Sequence, residues 1–316
     1  MSNALGRAST GVAVTGWGVA LPDTAVTNAE LEARLDTSDR WITERTGIRE
    51  RRIGGTTGQL AAAAARQALT AAGATPASVE LLVVATSTPD QQLPATASTV
   101  QHALGLRCGA FDVNAACSGF VYALVAGTGM SMAGARRVLV VGADVMSRVT
   151  DQDDRSTAVL FGDGAGAVVL DAVDGPGQLL GWDLGSDGSL RHLLQADLGG
   201  YVRMEGKEVF RRAVRVMVES SEMALQRAGL TIDDVGLLVP HQANTRIITA
   251  ACERLGIPVE RAAMVLHRTG NTSAASIPLA LGDAVDAGRV AKGEIVLLVG
   301  FGAGMTWASA VLRWGQ

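Results

Sequence analysis

The chain has 316 residues, 48% of them hydrophobic and 18% charged, which excludes a disordered or purely solvating polymer and requires one large core or two fused ones. A net charge of −4 at neutral pH offers no basic field for nucleic acid. Thirty-eight glycines against 4% aromatics point to closely approaching backbones and many turns.

Residues 1–10, MSNALGRAST, are expected to form a flexible tail. They lack the charged start and apolar stretch of a secretory signal. Further on, residues 68–83 (ALTAAGATPASVELLV) align without gaps on residues 224–239 (ALQRAGLTIDDVGLLV), an offset of 156. Ala68/Ala224, Leu69/Leu225, Ala72/Ala228, Gly73/Gly229, Val79/Val235 and the Leu-Leu-Val triplets all match. Gly73 and Gly229 are helix-stop residues in register, each followed by an equally spaced strand. The predicted strands are Leu81–Ala85 and Arg137–Gly142 in the first half, Val235–Val239 and Glu294–Gly300 in the second. Wholly apolar strands alternating with helices imply sheets covered on both faces. Two similar α/β halves, 11–170 and 178–316, are therefore expected to pack face to face. The turn DAVDGPGQ, Asp171–Gln178, is the seam, too short for a flexible tether. The longest apolar run, Ile295–Met305, is too short and too glycine-rich to span a bilayer.

Three cysteines, Cys108, Cys117 and Cys252, fit neither a disulfide framework nor a metal-ligand spacing. No metal is expected, and the odd count suits a reducing cytosol. Cys117 lies in FDVNAACSGFVYALVAG, where a strand end gives way to a run suited to a buried helix. A thiol there meets unpaired N–H groups and the helix dipole, which lower its pKa; the alternative is a buried structural cysteine. His241 follows the strand Val235–Val239 directly, in LLVPHQANTRII, and strand ends of α/β folds are where ligands gather. Asn271, in HRTGNTSAASIP, is either a polar group at a close backbone approach or a turn asparagine. The cluster FGDGAGA lacks the correctly spaced acid of a dinucleotide fingerprint, so tight strand packing is preferred to a nucleotide cradle.

Taken together, VNAACSGF, PHQAN and GNTSAASIP, with WITERTGIRERR near the start, DDRSTAVLFGDGAGA in the middle and GFGAGMTW near the end, resemble the β-ketoacyl-acyl-carrier-protein synthase III family of the thiolase superfamily. The likeness runs from about Gly11 to Trp314. It implies an α/β, thiolase-like fold of five layers, αβαβα, built from two duplicated halves. It also implies a catalytic triad of Cys117, His241 and Asn271. Cys117 would take an acyl group from acyl-CoA. Malonyl-acyl-carrier protein would then lose CO₂, and its enolate would attack the acyl carbon. His241 and Asn271 would stabilise the enolate oxygen, and the backbone N–H groups of Cys117 and Ala303 the tetrahedral oxyanion.

By the same resemblance, Trp41 and Arg155 would hold the CoA adenine between an indole and a guanidinium, and Arg45 would meet a CoA phosphate. Leu93 would line the acyl pocket, and Arg246 would contact the carrier protein. Two departures from the family pattern stand out. Ala303 replaces a usual glycine, which would strain the chain if that position needs positive φ; Lys207 stands where relatives have an uncharged polar residue. Acyl-CoA is a substrate here, so no permanently bound cofactor is expected. A homodimer is expected; nucleic acid and membrane partners are not. Two rival readings share these residues: acyl transfer to a hydroxyl, amine or carrier-protein thiol without decarboxylation, and a non-catalytic subunit that only positions a carrier protein.

Overall fold

A computed structural model describes residues 10–315 of the chain. Residues 1–9 of the expected tail lie outside the described residues; Thr10 already opens a strand. The five-stranded first sheet contains β1 (Thr10–Ala20), β2 (Leu81–Ala85), β3 (Gly109–Val113), β4 (Arg137–Val145) and β5 (Asp163–Asp174). The second sheet contains β6 (Leu179–Ser186), β7 (Val235–Pro240), β8 (Ile295–Gly302) and β9 (Thr306–Arg313). Strand order is β1-β5-β4-β2-β3 in the first and β6-β9-β8-β7 in the second. Reading each from its antiparallel end, the pairings run antiparallel, antiparallel, parallel in both. The first sheet then adds β3, parallel to β2. In the second, that place holds only a single parallel bridge between Leu238 and Ala262.

Six helices cover these sheets: α1 (Thr57–Ala71), α2 (Thr96–Leu104), α3 (Gly119–Met132), α4 (Gly206–Ala228), α5 (Thr245–Leu255) and α6 (Ser276–Asp286). Strand alternation sorts the apolar residues into layers. Leu82 and Val84 of β2 pack with Ala61, Ala65 and Ala68 of α1 on one face. Val83 and Ala85 turn to the other, against Phe120 and Leu124 of α3. That central core also receives Ile277 and Leu281 of α6, and Leu237, Val239 and Leu298 of the second sheet. The outer face of the second sheet, with Leu238 and Leu297, packs on Val214 and Met217 of α4 and Ile248 of α5. The result is helix, sheet, helix, sheet, helix: the five-layered αβαβα arrangement that the resemblance implied. α3 is apolar on all sides because both sheets enclose it.

The helix stops repeat down to individual bonds. Gly73 and Gly229 adopt φ +60° and +67°. Gly73 N–H donates to Thr70 and Ala74 N–H to Leu69, while Gly229 donates to Gln226 and Leu230 to Leu225. These are the carbonyl pairings of a left-handed helix cap, made twice at matching positions. Four strand ends differ from expectation; β7 reaches Pro240 and β8 reaches Gly302, one and two residues further than expected. β8 starts at Ile295 because Glu294 instead turns its carboxylate to Ala291 N–H. β4 runs beyond Gly142 to Val145, and the extension carries Asp144 into the interior.

Candidate active site

Two short 3₁₀ turns lead into the two central helices, Ala116–Ser118 before α3 and Ser273–Ala275 before α6. Ala116 (φ +48°) and Ser273 (φ +50°) are the two non-glycine residues with positive φ among the described residues, a conformation that costs energy and marks sites held by their surroundings. In both turns an asparagine two residues earlier stabilises that bend. Asn114 Oδ1 accepts from Ala116 N–H at 3.2 Å, and Asn271 Oδ1 accepts from Ser273 N–H at 2.9 Å. Because Oδ1 of Asn271 is engaged, the amide nitrogen is left as its free donor.

The elbows meet at Cys117, whose Sγ lies 3.4 Å from Ser273 Oγ. Cys117, His241, Asn271, Ala303 and Ser273 all line one cavity of about 720 Å³. Apolar side chains deepen it, among them Met146, Phe161, Val202 and Phe301. His241 leaves the end of β7, held by its own N–H on Val299 C=O at 2.8 Å. Its Nδ1 lies 2.6 Å from Ser276 Oγ, and its ring meets Phe301 edge-on at 5.4 Å. Burial depresses the imidazole to a pKa of about 3, so His241 is neutral and carries a single ring proton. Burial likewise pushes the Cys117 thiol up to about 12; the Ser273 hydroxyl opposes this and the Asp144 carboxylate reinforces it. The expected lowering of the thiol pKa therefore does not hold in this structure, because desolvation outweighs the helix N-terminus. The resting pair is thiol and neutral imidazole.

The turn Ser273–Ala275 has a buried support that the sequence reading missed. Asp144 Oδ1 accepts from Thr86 Oγ1, Ser87 N–H, Thr88 N–H and Thr88 Oγ1, at 2.8–3.0 Å. Its Oδ2 accepts from Ala274 N–H at 2.9 Å, tying the second elbow to the first half of the molecule. Burial still raises the Asp144 carboxyl above its usual range. Ser273 and Ser276 were also missed, although both stand inside the quoted GNTSAASIP segment. A lone acid two residues beyond an apolar strand was the available sign of Asp144.

The residues expected to bind CoA and acyl-carrier protein lie outside this cavity. Trp41 and Arg45 belong to the helix Asp39–Thr46, and Arg155 opens Arg155–Ala158. The Arg155 guanidinium sits 4.9 Å from the Trp41 ring centre and donates to Asp36 C=O. A ring between them would need about 7 Å, two van der Waals stacks, so the pair rests on itself and leaves no room for a third ring in this arrangement. Arg45 offers its carbonyl to Asn244 Nδ2 at 3.0 Å, and Arg246 covers the Phe210 ring at 5.6 Å. Leu93 is 84% exposed and does not reach the cavity within one chain. Lys207 is exposed on the first turn of α4. Ala303 does not adopt positive φ; Gly304 does, at +131°. The anticipated strain at Ala303 is absent.

A duplicated five-layered fold, with a cysteine elbow facing a histidine and an asparagine, defines a thiolase-like condensing enzyme. Residues 111–188 match the family described as 3-oxoacyl-acyl-carrier-protein synthase III, and residues 225–314 its C-terminal counterpart. A beta-ketoacyl-acyl-carrier-protein synthase III of Roseiflexus castenholzii is 51% identical over 322 residues, covering 96% of this chain and 98% of that protein. The crystal structure of 3-oxoacyl-acyl-carrier-protein synthase III from Aquifex aeolicus superposes with a TM-score of 0.94 at 46% identity, covering 96% of this chain and 100% of that one. A priming β-ketosynthase from the R1128 polyketide pathway superposes with a TM-score of 0.92 at 38% identity, covering 99% of each. The chain belongs to the β-ketoacyl-acyl-carrier-protein synthase III family and is an acyl-transferring enzyme.

Proposed function

We propose that this chain starts fatty-acid or polyketide chains by decarboxylative Claisen condensation of an acyl-CoA with malonyl-acyl-carrier protein. The observation that carries the reading is the meeting of Cys117, His241 and the donor-turned amide of Asn271 in one largely apolar cavity. Cys117 Sγ attacks the acyl-CoA carbonyl; the S–C bond to the enzyme forms, the C–S bond to CoA breaks, and the thiol proton ends on the CoA sulfur. Splitting the transfer through an enzyme thioester lowers each barrier. Backbone N–H groups of Cys117 and Ala303 face the oxyanion of this step.

In the second half-reaction the malonyl C–C bond to its carboxylate breaks, releasing CO₂ and leaving an enolate. His241 and Asn271 donate to the enolate oxygen, so no strong base is needed. A neutral histidine can fill this role, because its one protonated ring nitrogen is enough to donate to the enolate oxygen. The enolate carbon bonds to the acyl carbon, the Cys117 thioester breaks, and the released thiolate regains a proton from solvent.

Outside the cavity, Trp41, Arg45 and Arg155 bind CoA, with Arg155 swinging off the indole. Arg246 takes the acidic carrier protein. The working unit is a homodimer, supported by the free edge of β3 in the first sheet, with Leu93 completing the acyl pocket on association. The halves 11–170 and 178–316 act as one body, and the cytosol is the place of action. Among the described residues no helix is long and apolar enough to cross a membrane.

The test is CO₂ release from malonyl-acyl-carrier protein with and without a panel of acyl-CoA donors, alongside intact mass of the enzyme. Donor-dependent CO₂ and a β-ketoacyl product are expected. An acyl group on Cys117 without CO₂ would overturn decarboxylation in favour of another acceptor.

A further inference from the structure

We infer that Ser276 is a positioning residue that fixes the proton of His241 on Nε2. The inference rests on the proposed function and deepens it for the same site. Ser276 is the first residue of α6 and fully buried. Its Oγ lies 2.6 Å from His241 Nδ1, its one side-chain hydrogen bond among the described residues. A neutral imidazole has one N–H and one lone pair, and the partner of one nitrogen decides which role the other plays. With the hydroxyl donating to Nδ1, Nε2 carries the proton and donates to the enolate oxygen. With the bond reversed, Nε2 becomes a lone pair and would repel that oxygen.

The matching positions in the first half show that the fold does not require this pair. His241 is 156 residues beyond Ala85, in the register of the repeated helix–strand unit, and Ser276 is 157 beyond Gly119. There the two elements meet as Ala85 Cβ against Gly119, where a Cβ would stand at 3.2 Å. Bare contact suffices to pack helix on strand. The polar pair exists only beside the cavity, where Phe301 supplies the ring's other constraint.

The proton position is read directly by ¹⁵N NMR of histidine-labelled enzyme, which separates a protonated ring nitrogen from a bare one. In the wild type, His241 Nε2 is expected to carry the proton and Nδ1 to be bare. Ser276→Ala leaves a buried ring nitrogen unpaired and should slow condensation about 10- to 100-fold. Transfer of the acyl group from acyl-CoA to Cys117, followed by intact mass, should slow by much less. Ser276→Thr keeps the hydroxyl and should recover most of the condensation rate. A proton on Nδ1 in the wild type would overturn the inference, as would equal loss in both half-reactions or full condensation in Ser276→Ala. Failure of the wild type to release CO₂ would instead sink the proposed function, while the ¹⁵N spectrum would still report the Ser276 contact.

Discussion

The two elbows, Asn114–Gly119 and Asn271–Ser276, have almost the same backbone and opposite chemistry. Each bends at a positive-φ residue under an asparagine side chain. Each closes the same turn, Ser118 N–H to Ala115 C=O and Ala275 N–H to Thr272 C=O. They part in what faces the residue after the bend. At the first elbow Gly302 lies beside Cys117 N–H, and a Cβ on it would sit 2.6 Å away. At the second, Asp144, which occupies the corresponding place at the end of β4, plugs Ala274 N–H with its carboxylate. One copy of a duplicated turn keeps an open N–H at Cys117, the proposed nucleophile; the other is sealed at Ala274 and carries Asn271, Ser273 and Ser276. The two elbows share their geometry, and glycine at 302 against aspartate at 144 sets them apart.

Closing the open elbow should have the largest effect. Gly302→Ala would push a methyl against Cys117 N–H and to 3.0 Å from Ala116 Cβ. Gly302 is not at positive φ, so the effect is steric and falls on the elbow at Ala116 and Cys117. Losing one oxyanion donor costs about 10²- to 10³-fold in rate. That loss is expected in burst acylation of Cys117 by acyl-CoA, and an unchanged burst would mean that this N–H does not face the oxyanion.

Unsealing the second elbow is the reciprocal change. Asp144→Asn keeps shape, and the four donors gathered on Oδ1 will hold the amide oxygen there. The new NH₂ then confronts Ala274 N–H, donor against donor. An unpaired buried donor costs about 1–3 kcal/mol, so denaturant unfolding should show that loss, and condensation should fall about tenfold as that elbow loosens. Wild-type condensation in Asp144→Asn would show that the elbow holds without its tether.

The histidine that distinguishes the second half also leaves a mark on stability. Burial holds His241 near a pKa of 3 against an ordinary value of 6.5. The unfolded chain therefore binds the extra proton between those values. His241's contribution is intact above pH 6.5 and is lost as pH falls toward 3, with a slope of up to about 1.4 kcal/mol per pH unit. His241→Gln lacks this titration. The stability difference between wild type and variant should thus move against the wild type from pH 7 to pH 5 in urea unfolding; a constant difference would place the imidazole in contact with water.

The comparison also explains what could be read in the amino acids and what could not. Gly73 and Gly229 announced the repeat because a left-handed helix stop is a local demand, satisfied within five residues. The strand positions followed from runs of apolar residues, and the resemblance carried by three short segments pointed to Cys117, His241 and Asn271, which line one cavity. Asp144 meets Ala274 across 130 residues, and no local pattern encodes that pairing. The sign of the Cys117 shift was misjudged because its turn is visible locally whereas its burial depends on both sheets. Leu93 and the self-stacked Trp41–Arg155 pair show a further limit. Leu93 stands exposed and Arg155 lies over Trp41 across more than a hundred residues of chain, arrangements that no local pattern specifies.

The smallest effect is expected at Ala303. Ala303 lines the cavity beside the open elbow, and the positive φ falls on its neighbour Gly304. An alanine at an ordinary φ restricts the unfolded chain without straining the folded one. Ala303→Gly should therefore cost about 0.4–1 kcal/mol in denaturant unfolding, by raising the entropy of the unfolded state. Its N–H would remain where Ala303's was, so condensation should stay close to the wild-type rate. A large gain in rate would reverse this, showing that the methyl crowds the oxyanion and that the open elbow is only half open in this chain.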